Sequence, residues 1–103
     1  MRLVAGSTAR TKSGLRLREG AGVGHKQVAV LQAGVLVRLL ADPASGWALV
    51  EVNGHTLDGK TIYSEPDAAS SVEATRGPAA EWQAVTLTGY VSIRYLEVVD
   101  GPA

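Results

Sequence analysis

Short apolar runs separated by glycine-containing turns are the feature that most constrains how this chain can fold. Residues 15–18 alternate apolar and arginine side chains, the period-two pattern of a half-buried strand, so Leu15 and Leu17 face away from Arg16 and Arg18. Branched apolar runs delimit further predicted strands at residues 28–31, 35–40, 47–52, 82–91 and 96–99. Without a convincing long helix, the pattern predicts an all-β fold, a small barrel or sandwich of about five to six short strands.

The middle of the chain, about residues 53–81, does not continue this pattern. Residues 61–63 could form a strand, and residues 67–78 could form a short helix that Asp67 caps. A long β-ribbon with its tip near residues 66–67 is the alternative, because several residues of this segment are indifferent helix formers.

The composition fits one globular domain spanning residues 1–103. The chain is 46% hydrophobic and 19% charged, which is too apolar for intrinsic disorder, and it has no cysteine. No apolar run is long enough for a membrane span or a secretory signal. We therefore expect synthesis in the cytosol or a place in a virion, unless the chain is cut from a longer secreted protein of the cell envelope.

Charge is distributed unevenly although the net charge is zero. Residues 1–40 carry seven cations and one carboxylate, whereas residues 41–103 carry three cations and nine carboxylates. Either the two halves interleave in the fold, or the molecule is dipolar and docks onto a charged partner or onto copies of itself. Zero net charge makes nucleic acid an improbable partner.

The sequence predicts a protein that is not an enzyme and binds no metal or cofactor. The glycine-rich residues 20–26 lack the Gly-Lys-Ser/Thr that a phosphate-binding loop requires. His25 and His55 have no histidine or cysteine at metal-ligand spacing. Glu65 and Asp67 could be imagined as a glycosidase pair, but neighbouring acids in a loop rich in proline, serine and alanine are usually solvated.

Partly exposed aromatic side chains are the natural ligand platform of so small a barrel. Strand alternation places Trp47 and Leu49 on the face opposite Val50, so an apolar pair faces outward. Its cover could be the middle segment, a ligand or a partner subunit. The predicted ligand-binding residues are Trp47, Leu49, Tyr90 and Tyr95.

Four sequence blocks follow one another in a recognisable order. Residues 14–20 read Gly-Leu-Arg-Leu-Arg-Glu-Gly, residues 30–34 precede a valine-rich strand, Gly46 and Trp47 open the next strand, and residues 89–96 read Gly-Tyr-Val-Ser-Ile-Arg-Tyr-Leu. These blocks resemble bacterial Src-homology-three domains, which usually open with Gly-Leu-Asn-Val-Arg-Ser-Gly-Pro and end with Gly-Trp-Val-Ser-Ser-Lys-Tyr-Leu.

The resemblance covers about residues 14–52 and 82–98, and it implies an SH-three-like barrel that docks a peptide-like ligand. In this family the ligand is typically a stem or cross-bridge peptide of peptidoglycan, and a protein partner is also compatible. A structural subunit of a phage or injection particle is the alternative function. Nucleic-acid binding through the basic N-terminal strand is the third.

The chain departs from the family pattern at its aromatic positions. Tyr90 stands where the family usually has tryptophan. Trp82 begins a block that is similar to the block at Trp47, so either tryptophan could hold the family position, although the turn at residues 42–46 favours Trp47.

A long segment, about residues 54–81, stands where the family has a tight turn, and we treat it as an insertion. Its carboxylates outnumber its cations, which predicts an acidic projection. We expect the barrel to fold without it. Glu65 and Asp67 would then pair with a basic partner surface, or with Arg16 and Arg18 of a neighbouring copy.

Overall fold

A computed structural model describes residues 3–64 and 82–101 as an all-β chain, which confirms the predicted fold class. Its eight strands are β1 (Thr8–Thr11), β2 (Leu15–Arg18), β3 (Gln27–Leu31), β4 (Leu36–Leu39), β5 (Trp47–Thr56), β6 (Thr61–Ile62), β7 (Gln83–Ser92) and β8 (Leu96–Asp100). A single 3₁₀ turn, Ile93–Tyr95, joins β7 to β8 in this part of the chain. No helix among these residues is long and apolar enough to cross a membrane.

The strands form one mixed sheet in the order β6-β3-β2-β7-β5-β4-β1-β8. Every neighbouring pair is antiparallel except β3 and β6, which run parallel. Strands β6 and β8 are the edges, and no ladder joins them within the described residues. The sheet is therefore open there, and the closed barrel stays a prediction.

The buried face of the sheet carries the apolar positions that the sequence pattern predicts. Leu15 and Leu17 are buried while Arg16 is exposed, and in β5 the buried Val50 alternates with the half-buried Trp47 and Leu49. The predicted assignment of side chains to the buried and the outer face is therefore confirmed for both strands. The core consists of Ala9, Leu15, Leu17, Ala29, Leu31, Val35, Val37, Leu39, Ala48, Val50, Val52, Ile62, Val91 and Leu96.

Strands β5 and β7 pair over ten positions, from Trp47 opposite Ser92 to Thr56 opposite Gln83. The sequence places the end of β5 at residues 53–54, and this boundary is wrong. A Cβ atom on Gly54 would lie 2.5 Å from Ile62 Cγ2 and 2.7 Å from the Tyr63 carbonyl oxygen. The glycine therefore admits a neighbouring segment and does not form a turn.

The neighbouring segment is β6, which lies inside the expected insertion. Its Ile62 is fully buried opposite Leu31 of β3, and His55 exchanges two backbone hydrogen bonds of 2.8 Å with Tyr63. Residues 54–64 therefore form part of the core and of one sheet edge, and the expectation that the barrel folds without residues 54–81 stays a prediction. The predicted helix or ribbon tip near 67–78, with Glu65 and Asp67, lies outside the described residues.

The basic and acidic halves of the sequence interleave in the sheet. Strand β1 lies between β4 and β8, and Arg10 stands directly opposite Glu97. Arg38 of β4 stands opposite Glu51 of β5. The uneven charge along the sequence is therefore explained, for these strands, by the first alternative, in which the two halves interleave in the fold.

Candidate ligand-binding groove

An open groove of about 650 Å³ lies between the loop that follows β2 and the 3₁₀ turn that follows β7. Strands β2, β3, β5 and β7 contribute to its walls. It is lined by Gly14, Leu15, Arg16, Arg18, Val23, Val30, Trp47, Ser92, Arg94 and Tyr95. Four of the residues predicted from the sequence, two aromatic and two basic, therefore meet at one site.

The two aromatic residues of the groove are held by backbone contacts. Trp47 begins β5 opposite Ser92, immediately after a tight turn in which Ser45 and Gly46 have φ angles of 54° and 83°. The Gly46 carbonyl accepts a 3.0 Å hydrogen bond from the N–H of Ile93, which ties this turn to the 3₁₀ turn. The carbonyl of Tyr95 accepts a 2.8 Å bond from the N–H of Lys12. The backbone that carries both rings is therefore fixed from two sides.

Three arginines give the groove its charge. Arg18 Nη1 donates a 2.9 Å hydrogen bond to the carbonyl of His25, in the loop between β2 and β3. The guanidinium carbon of Arg94 lies 5.8 Å from the centre of the Tyr95 ring, within the range of a cation–π contact. Arg16 projects from β2 and is exposed. Among the described residues that line the groove, none is acidic.

Leu49 and Tyr90, the other two predicted ligand-binding residues, do not line the groove but adjoin it. Tyr90 stands opposite Leu49 on one side and opposite Arg18 on the other. Directly opposed residues in a ladder project to the same face, so the three side chains form a row that runs from Arg18 in the groove to Tyr90 and Leu49 beside it. Leu49 and Tyr90 are half-buried.

The two tryptophans lie in different environments. Trp47 lines the groove, whereas Trp82 precedes β7, near the other end of the ten-residue ladder. The Trp82 ring makes an edge-to-face contact with Tyr63, with ring centres 5.5 Å apart. The structure therefore associates the groove with Trp47.

Six of the described lining residues are not predicted as site residues by the sequence, and they are Gly14, Leu15, Val23, Val30, Ser92 and Arg94. Val23 is 78% exposed in the glycine-rich loop, whose sequence fits no phosphate-binding motif and gives no other signal of a binding role. Arg94 lies inside the closing block that resembles the family ending, two residues after Ser92. Its position next to an exposed aromatic, Tyr95, was the available signal.

Titratable side chains elsewhere in the described part of the chain form no metal-binding cluster. No group of three or more His, Cys, Asp or Glu residues there is placed to hold a metal ion. His55 Nδ1 lies 3.2 Å from the Ser64 carbonyl oxygen. Asp58 accepts 2.8 Å hydrogen bonds from the N–H groups of Thr61 and Lys60, and the Thr61 bond is the main cause that lowers the pKa of Asp58. This carboxylate organises the turn before β6.

No protein-family model, curated protein or solved structure matches this chain. The groove is therefore interpreted from its own geometry and chemistry.

Proposed function

We propose that this protein is a non-catalytic binding module that docks a peptide-like ligand in the groove. The observation that carries the proposal is the convergence of Trp47 and Tyr95 on an open groove of about 650 Å³. Ligand-binding clefts commonly have volumes of about 300–1,000 Å³ and are lined by aromatic residues with a few polar groups. Ser92 and the three arginines are the polar groups here.

The backbone contacts of the groove favour binding. Bonds to the carbonyls of Gly46 and Tyr95 fix the aromatic residues, and the Arg18 bond to His25 fixes the adjoining loop. A preformed site loses less conformational entropy when its ligand binds. Peptides of peptidoglycan are the first ligand class to test, because the sequence blocks that contribute most of the groove residues resemble bacterial Src-homology-three domains.

Retention on purified bacterial cell walls tests this function. We expect the parent protein to be retained and the Trp47→Ala and Tyr95→Ala variants to be lost in the wash, while all three keep a β-type far-ultraviolet spectrum. Leu40→Ala is the matched control, because Leu40 is 44% exposed and lies outside the groove. Equal retention of parent, control and groove variants would show that the groove is not the binding site.

An assembly subunit is the second candidate, and the edge strand β8 favours it. Strand β8 pairs only with β1 among the described strands, and its Val99 is 39% exposed. An exposed edge can pair with another chain, and an edge lysine opposes such pairing. This function predicts that the parent elutes from a sizing column as a larger species than the Val99→Lys variant. Monomeric elution of both at high concentration excludes it.

A further inference from the structure

We propose that the groove recognises an acidic peptide segment, in which a carboxylate lies next to an apolar side chain. This inference rests on the proposed binding function and names the chemistry of the ligand. Its starting point is the charge pattern of the sheet, because three arginines line the groove and none of its described lining residues is acidic.

Outside the groove, cations of the sheet stand opposite carboxylates. Arg10 faces Glu97 and Arg38 faces Glu51 in adjacent strands. Inside it, three arginines line one space, and none of the described lining residues carries a negative charge. Like charges held close together repel, so an anion that enters the groove is stabilised by all three.

The arginine side chains of the groove have further N–H donors with which they could bind a carboxylate. Arg18 uses one N–H on the His25 carbonyl, and a guanidinium carries five such donors in a planar fork. Arg16 is exposed on the same face of β2, two residues away. Such forks bind carboxylates through paired, charge-assisted hydrogen bonds.

The remaining groove surface is apolar and suits the other half of the ligand. Trp47, Val30 and Val23 line the groove together with the Tyr95 ring, which Arg94 partly covers. A leucine or similar side chain beside the carboxylate would be buried against this surface. A peptide is favoured over a nucleic acid because Arg10 and Arg38, the strand cations outside the groove, stand opposite Glu97 and Glu51. The described strands therefore offer a phosphate backbone no unbroken row of cations outside the groove.

The test uses Trp47 as an internal reporter. The chain has two tryptophans, so Trp82→Phe leaves only the one in the groove. The probes are two synthetic peptides, acetyl-Ala-Leu-Glu-Glu-Ala-amide and acetyl-Ala-Leu-Gln-Gln-Ala-amide. We expect the glutamate peptide to change Trp47 fluorescence and to bind at least about tenfold more tightly, with an advantage that shrinks as salt is raised. In a Trp47→Phe variant, the fluorescence of Trp82 should not respond.

Matched arginine variants locate the effect. Arg16→Gln and Arg18→Gln should each remove most of the preference for glutamate, whereas Arg38→Gln, with the same change of charge outside the groove, should keep it. Arg16 is exposed, so its variant remains informative if Arg18→Gln does not fold.

Each other outcome overturns a specific statement. Equal binding of the two peptides would overturn the acidic preference and leave the binding function standing. Binding of neither peptide, with cell-wall retention that still depends on Trp47, would overturn the ligand class alone. Tighter binding of an oligothymidylate than of the glutamate peptide would make the ligand a nucleic acid. Loss of both peptide binding and Trp47-dependent retention would overturn the proposed function as well.

Discussion

Gly89 is a residue of β7 that lies close to β2. A Cβ atom there would lie 2.8 Å from both the Arg18 carbonyl oxygen and Leu17 Cγ. Because one of these atoms belongs to the backbone and the other to a fully buried side chain, neither can move freely. We expect Gly89→Ala to lower the free energy of unfolding by about 1–3 kcal/mol, as overpacking of a core usually does.

Urea unfolding followed by circular dichroism measures this loss. Gly24→Ala is the control, because its added Cβ would meet no atom within 4 Å and its φ is not positive. If the two alanine variants are equally stable, the close approach of β7 to β2 is not as described.

For single residues, the sequence predicts well which side chains are buried, but it predicts poorly which side chains meet at the groove. Alternation alone assigns Leu17 to the core and Arg16 to the surface, because a strand's side chains point to opposite faces in turn. Alternation says nothing about Arg94, which lies in a 3₁₀ turn and reaches the groove only through the path of the backbone after β7.

The turn between β5 and β6 depends on the ionised form of Asp58. Hydrogen bonds, chiefly from the Thr61 N–H, lower the pKa of Asp58 below its usual value of 3.8, and they outweigh the opposing effect of its slight desolvation. A carboxylate with a lowered pKa contributes stability above the unfolded-state pKa, and this contribution is lost as the pH falls through the folded-state pKa. The loss should therefore occur below about pH 4.

Comparison of the parent with Asp58→Asn isolates this effect, because asparagine does not titrate. The parent's advantage in urea midpoint should be constant above about pH 4 and should shrink toward pH 2. Leu40→Ala, at an exposed apolar position outside this turn, should show no such shrinkage relative to the parent. An advantage that is the same at every pH would contradict the role given to the ionised carboxylate.

Strand β6 is short, and Ile62 is its one fully buried side chain. Ile62 is fully buried opposite Leu31 and packs against the space left by Gly54. Ile62→Ala should lower the free energy of unfolding by about 2–5 kcal/mol, as removal of a large core side chain usually does. The exposed Lys60, two residues earlier, provides the Lys60→Ala control for chemical denaturation. Equal stability of the two variants would support the expectation that the barrel folds without this segment.

The sequence predicts the strands with strong alternation and misses those without it. Strand β1 has the sequence Thr-Ala-Arg-Thr, in which small and polar residues carry no apolar signal. The sequence places the end of β5 too early because Asn-Gly is typical of a hairpin turn, whereas this glycine makes room for Ile62. Both errors concern contacts made by residues distant in the chain, which local patterns do not record.

The whole molecule should unfold as one unit, because distant segments are joined through the centre of the sheet. Strand β7 connects β2 to β5, and β1 connects β4 to β8. The two tryptophans lie near opposite ends of the β5–β7 ladder and can report on this separately. In Trp82→Phe and Trp47→Phe, the fluorescence midpoint in urea should coincide with the far-ultraviolet midpoint of the same variant.

The control is internal, since each variant carries its own circular dichroism reference. A Trp82 signal that changes at lower urea than the far-ultraviolet signal would indicate that the end of the ladder near β6 opens separately from the groove end.

The groove itself could be predicted only in part at this scale. The sequence alone names four of the lining residues as candidates, and they are Trp47, Tyr95, Arg16 and Arg18. Their proximity depends on the strand order β3-β2-β7-β5, which brings together strands that are far apart in the sequence. No local pattern encodes that order.

Because β1 pairs with β8, the start of the first described strand lies next to the end of the last one. Thr8 lies opposite Asp100, and opposed residues of antiparallel strands have Cα atoms only about 5 Å apart. A short linker could therefore join the two strands into a hairpin, and new ends could be opened in the exposed loop between β2 and β3. For the same reason, residues 8–100 could be inserted as a domain into a surface loop of a host protein, because the two ends of the loop would stay close together. The host protein would then carry the groove on its surface.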